Sequence, residues 1–150
     1  MKRILLAEDN ENDIELTLTA LQEYRLSNEV TVVRDGAEAL DYIYERGEFA
    51  NREKGLLCVV LLDLKMPRVD GLEVLRQIKA DPALRRIPVV MLTSSREEKD
   101  LIKSYELGVN GFVVKPVDFE QFLKAIRAVG VFWAIVNESP LPKGKTEPKT

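Results

Sequence analysis

Six residues of this chain set a reactive side chain at the end of a short apolar run. Glu8 and Asp9 follow ILLA, Asp63 follows CVVLL, Thr93 and Ser94 follow VVML, and Lys115 follows FVV. Ligands of an open parallel sheet bind outside the carboxyl ends of its strands, where the strand order reverses, so these residues are expected to share one site. Three carboxylates placed together cannot all ionise without a compensating cation. A hard divalent ion meets that need, and Mg²⁺ in particular takes one or two carboxylates, waters and a phosphate oxygen. With a lysine at hand for a further anion, the set suits acceptance of a phosphoryl group on a carboxylate. Aspartate can act as a covalent nucleophile, and phosphoryl transfer is mostly positioning and charge neutralisation.

The elements that must position these residues are legible from periodicity. Strands are expected near Arg3–Glu8, Glu29–Arg34, Leu57–Asp63, Ile87–Thr93 and Gly111–Lys115, because short β-branched runs alternate with segments of helical period. Ile14, Leu18 and Leu21 mark one helix face, Leu72, Leu75 and Ile78 another, and Phe119, Phe122, Ile126, Val129 and Trp133 a third. Ser95 with Glu98, and Asp118 with Gln121, read as helix caps reinforced from the third helical position, and Asp9 can cap the helix that follows it. Residues 1–136 therefore form one α/β domain of five β-α units. GEFANREKG, from Gly47 to Gly55, reads as an extended loop, and the proline- and lysine-rich residues 137–150 as a disordered tail.

Composition narrows the function classes. The 150 residues suffice for one domain, and 22 basic against 25 acidic residues leave a net charge of -3, with no general pull toward nucleic acid or anionic membrane. The chain has no histidine, which excludes Ser-His-Asp and Cys-His catalysis and histidine-ligated metals. Cys58 is the single cysteine and lies in an apolar strand, so it reads as packing in a reducing compartment. Ala128 to Val136, the longest uncharged apolar stretch, is far too short to span a bilayer, and the apolar run after Lys2-Arg3 is too short for a signal peptide. A cytoplasmic protein is expected.

The strings LLAEDN, LLDLKMPRVDG, VVMLTSS and GFVVKP, in that order and spacing, resemble the receiver domain of bacterial response regulators from residue 3 to about 136. The resemblance implies a flavodoxin-like, doubly wound, five-stranded parallel sheet of order 2-1-3-4-5 with five helices. It implies Mg²⁺-dependent transfer of a phosphoryl group from a partner histidine kinase to Asp63. Asp9 would be a direct metal ligand, Glu8 would act partly through water, and the backbone carbonyl of Lys65 would complete the protein's share. Thr93 would bond one phosphoryl oxygen and Lys115 pair with another. Pro116 resembles the family's cis-proline, and Phe112 stands at its switch-aromatic position, filling the space that Thr93 vacates. The surface made by the fourth helix, fifth strand and fifth helix would then change shape. Glu-Asp replaces the Asp-Asp of many relatives at positions 8 and 9, and the extra methylene permits the same water-mediated role.

The loop at Gly47–Gly55 and the sequence VGVFWAIV resemble the stand-alone receivers that partner bacterial phytochrome kinases. Phe132 and Trp133 extend the apolar stripe of the last helix, and a second copy is the simplest cover for it, so a homodimer is expected. Two other classes fit the residues less well. Phosphatases resembling the haloacid dehalogenases carry D-x-D, whereas Lys65 stands at the second position here and no general acid follows Asp63. A receiver-shaped adaptor would signal without phosphorylation. Direct transcription control is not expected, since only 14 residues follow Val136.

Overall fold

The computed structural model describes residues 2–22, 30–51, 56–94, 98, 109, 111–128 and 130. Strands β1 (Lys2–Ala7), β2 (Val30–Val33), β3 (Leu56–Asp63), β4 (Val89–Thr93) and β5 (Gly111–Val114) form one parallel sheet of order β2-β1-β3-β4-β5. Alternate residues of the strands point to opposite faces, so each face has its own core. On one, Ile4, Leu6, Val59, Leu61, Val90, Leu92 and Val113 pack with α1 (Glu11–Gln22) and the last helix, α4 (Phe119–Ala128), through Ile14, Leu21, Phe122 and Ile126. On the other, Leu5, Ala7, Val60, Leu62 and Met91 pack with α2 (Gly36–Tyr44) and α3 (Gly71–Ala80) through Leu40, Ile43, Leu75 and Ile78. All five residues of β4 are buried, as two covered faces require.

The sheet order is the one expected, while the described residues contain four α-helices rather than five. The helix expected between β4 and β5 lies outside the described residues except for Glu98, which is helical. The expected tail and the expected interface residues Phe132 and Trp133 also lie outside them. Gly47–Gly55 is not a plain extended loop. A 3-10 turn runs from Gly47 to Phe49, because Phe49 meets the Tyr42 ring edge-on at 5.1 Å and that contact pulls the segment onto α2. Asp9 does not cap α1. Asn10 does, its Oδ1 accepting the Asp13 N–H at 2.9 Å.

Two Asp-Gly pairs seat the loop that follows β3. Asp35 and Asp70 each accept an N–H from the glutamate three residues on, at 2.8 and 2.9 Å, and so start α2 and α3. The glycine after each is required by close approach. A Cβ on Gly71 would lie 2.1 Å from the Asp63 carbonyl oxygen, and one on Gly36 would lie 1.9 Å from that of Val69. Both obstacles are backbone and cannot swing aside. Gly71→Ala is therefore expected to cost about 3 kcal/mol, the upper end for overpacking, and to lower the urea midpoint with an unchanged slope. A midpoint like that of the wild type would show that α3 can lift from the end of β3.

Candidate functional site

β1 and β3 run side by side, with Ala7 opposite Leu62, and the chain leaves them in opposite directions. This is the switch point, and the acidic residues gather there. Glu8, Asp9 and Asp63 each offer a carboxylate oxygen within 4.8 Å of the others. Glu8 is fully buried, Asp63 nearly so, and Asp9 is exposed. Glu8 is fixed at both ends, its N–H donating to the Val33 carbonyl at 2.9 Å and its Oε2 accepting the Asn10 N–H at 3.1 Å.

Lys115, just beyond β5, reaches across this end of the sheet. Its Nζ lies 2.8 Å from Asp63 Oδ1, 2.9 Å from Glu8 Oε1 and 3.1 Å from Asp13 Oδ2. The reach depends on its backbone, whose N–H donates to the Thr93 carbonyl at 2.7 Å. The turn that follows, with Lys115–Pro116 cis, is tied down by Gln121, which donates to the Pro116 carbonyl and accepts from the Val114 N–H, both at 3.2 Å. Asp118 caps the last helix through the Gln121 N–H at 2.8 Å, as its spacing from Gln121 predicted.

The electrostatics show a site short of positive charge. Burial pushes the Asp63 carboxyl above the usual aspartate range against the pull of Lys115, and the charge of Asp9 adds to the rise. Glu8 is raised by burial too, with a contribution from Asp63, again despite Lys115. Burial works against the Lys115 ammonium, but Asp63 and Glu8 outweigh it and hold its pKa above the ordinary lysine value. Among the described residues one ammonium meets Glu8, Asp13 and Asp63, with Asp9 beside them, and does not neutralise all four, and the clustered hard oxygens suit a small divalent cation.

Thr93 ends β4 one residue beyond the Leu92 that pairs with Asp63. It is completely buried, and its hydroxyl has no hydrogen-bond partner among the described residues. Such a group costs about 1–3 kcal/mol. Phe112 is partly buried on the face covered by α2 and α3, against the cluster that contains Met91. The Lys65 side chain is exposed and reaches Glu98 at 3.4 Å, and Glu98 also accepts the Ser94 N–H at 2.8 Å. Ser95, expected as the cap beside Glu98, lies outside the described residues.

Asp13 and the Asp35–Arg68 pair were missed by the sequence reading. Asp13 lies on the first turn of α1, which starts beside the acidic pair, so its distance from Glu8 along the helix could have flagged it. Arg68 stands in the loop after β3 with φ 66°, and the Val69 N–H donates to the Pro67 carbonyl at 2.8 Å around it. That is a γ-turn of the rarer, strained hand. Its guanidinium grips Asp35 with two bonds of 3.1 Å, tying the loop to the start of α2. No spacing signal marks that pair, because the partners are far apart in sequence.

Comparison with known proteins agrees with this geometry. The family described as response regulator receiver domain matches residues 4–127. Response regulator Rcp1 of Synechocystis sp. is 40% identical over 132 residues, which are 88% of this chain and 88% of that protein. A crystal structure of Rcp1 in its Mn²⁺-bound form matches with a TM-score of 0.70 at 38% identity, covering 95% of this chain and 99% of that one. The bacteriophytochrome response regulator AtBRR is 64% identical with a TM-score of 0.86, covering 92% of this chain and 99% of that one. For the bacteriophytochrome response regulator RtBRR the values are 61% and 0.85, over 93% and 84% of the two chains.

Proposed function

We infer the working of this chain from the family to which it belongs, the response regulator receivers: it accepts a phosphoryl group and serves as a signalling switch. We assign acceptance to Asp63. An Asp63 oxygen attacks the phosphorus of a kinase phosphohistidine whose other ring nitrogen carries a proton, the P–N bond breaks as the P–O bond forms with its electron pair staying on the ring, and the neutral imidazole leaves with the kinase. Lys115 pairs with one phosphoryl oxygen and Thr93 donates its hydroxyl to another. The observation that carries this reading is the 2.8 Å contact between Lys115 and Asp63 inside a cluster of buried, under-neutralised carboxylates.

Glu8, Asp9, Asp63 and the backbone carbonyl of Lys65 would hold Mg²⁺, which when bound supplies positive charge to the phosphoryl oxygens. The proximity of the three carboxylates supports the site, as does the Mn²⁺ form of Rcp1. Engagement of Thr93 draws it toward Asp63 and lets Phe112 move inward from its half-buried position, which reshapes the surface around β5. Moving such a switch from 1:99 to 99:1 takes about 5.5 kcal/mol, within reach of charge-assisted bonds from two residues together with the charge a bound cation would supply.

The partner is a histidine kinase, and the names of RtBRR and AtBRR support one of phytochrome type. No free metabolite is turned over, so the chain is a switch rather than a metabolic enzyme. A cytoplasmic location follows from such a partner, and among the described residues no helix is long and apolar enough to cross a membrane. Incubation with acetyl phosphate and Mg²⁺ is expected to add one phosphoryl mass to the intact protein. No added mass, with rapid hydrolysis excluded by a time course, would sink the reading. The residues at Phe132 and Trp133 make a homodimer the expected assembly, and a monomer in sedimentation at high concentration, with and without a phosphate mimic, would count against it.

A further inference from the structure

We propose that Asp13 is a specificity-determining residue which restrains phosphorylation by free anionic donors. The proposal rests on the receiver reading above. Asp13 is held in place by its backbone: its N–H donates to Asn10 Oδ1 at 2.9 Å, and its carbonyl accepts the Thr17 hydroxyl at 2.8 Å. Its carboxylate is 3.1 Å from Lys115 Nζ, the same ammonium that meets Asp63 at 2.8 Å and Glu8 at 2.9 Å. Of these three carboxylates Asp13 is the most open to solvent, at 26% exposure against 8% for Asp63 and 1% for Glu8. A donor approaching from solvent meets its charge first among the three.

Two effects follow, and they have the same sign. Asp13 shares the Lys115 charge that would otherwise be directed at Asp63 and an incoming phosphoryl group. It also adds a negative charge at the entrance, where a small phosphate anion must pass. A unit charge about 6 Å from another in water costs roughly 0.7 kcal/mol, or about threefold in rate per negative charge on the donor. A phosphohistidine presented by a docked kinase is brought in by the protein contact, so the restraint falls on free small-molecule donors.

The test compares wild type with Asp13→Asn and Asp13→Ala, using acetyl phosphate, a dianion, and phosphoramidate, which carries one negative charge fewer. Initial rates are read by intact mass at saturating Mg²⁺, because losing a carboxylate also weakens cation binding. Both variants are expected to react about tenfold faster with acetyl phosphate and about threefold faster with phosphoramidate. The ratio between donors should shrink at 1 M salt, where the Debye length is about 3 Å. Rates that are unchanged, or lower with both donors, would overturn the proposal and make Asp13 a support that positions Lys115. A wild type that takes up no phosphoryl group from either donor would instead overturn the receiver reading itself.

Discussion

Asp63→Asn is expected to take up no phosphoryl group from acetyl phosphate and Mg²⁺ under conditions where the wild type gains one. The amide has neither the negative charge nor the nucleophilic lone pair of the carboxylate, while its shape is nearly the same. No neighbour is placed to substitute. Glu8 is fully buried, no ion pair among the described residues joins Asp9 to Lys115, and Asp13 is the most exposed of the three carboxylates that meet the lysine. An adduct of full stoichiometry in the variant would move the acceptor elsewhere, and retained signalling without an adduct would favour a phosphorylation-independent adaptor. Stability gives a second readout. Burial raises the Asp63 pKa in the folded protein, so its contribution is fully present below the ordinary aspartate pKa and is lost as pH rises through the raised value. At neutral pH the ionised group opposes folding, and the neutral isostere is expected to melt no lower than the wild type.

The strands themselves and the placing of Glu8, Asp9, Asp63, Thr93 and Lys115 at one end of the sheet were legible because each depends on a local pattern, whereas the strand order was implied by the resemblance to receiver domains. A parallel strand covered on both faces is a short apolar run, and the polar residue that ends it must stand at the rim. What was not legible came from contacts between residues distant in sequence. Phe49 folds a polar stretch into a 3-10 turn because Tyr42 offers it a ring, and nothing in GEFANREKG reports that neighbour. Arg68 grips Asp35 across 33 positions. Between these extremes lie signals that were present and unused. D-G-x-E occurs at Asp35–Glu38 and again at Asp70–Glu73, and both are helix starts packed against backbone. Asn10 outcompetes Asp9 as a cap because it stands one residue closer to the helix, which leaves the Asp9 carboxylate beside Glu8 and Asp63.

Lys115→Met should be the most destabilising change at the site when no divalent cation is present. The side chain is largely enclosed and contacts three carboxylates, two of them buried, so its removal leaves like charges facing one another with no internal counter-ion. Breaking a buried ion pair from one side costs about 3–5 kcal/mol, and the open edge at Asp13 places the expected loss near 3 kcal/mol. For a chain of this size that is a fall in Tm of roughly 6–12 °C. In the wild type the raised Lys115 pKa contributes stability that is complete below the ordinary lysine value and is lost only as pH rises through the higher folded value. The variant instead should regain ground toward acid. Glu8 and Asp63, already raised by burial, lose the charged partner that lowers them, so they take up protons at higher pH and the deficit narrows as pH falls through the carboxylate range. Mg²⁺ at a hundred times its dissociation constant should stabilise the variant by about 2.7 kcal/mol and the wild type by less, because there the carboxylates share a lysine, so the deficit narrows by the difference. A variant that melts with the wild type in chelator, or that Mg²⁺ rescues no better, would show that this cluster is not held together by its lysine.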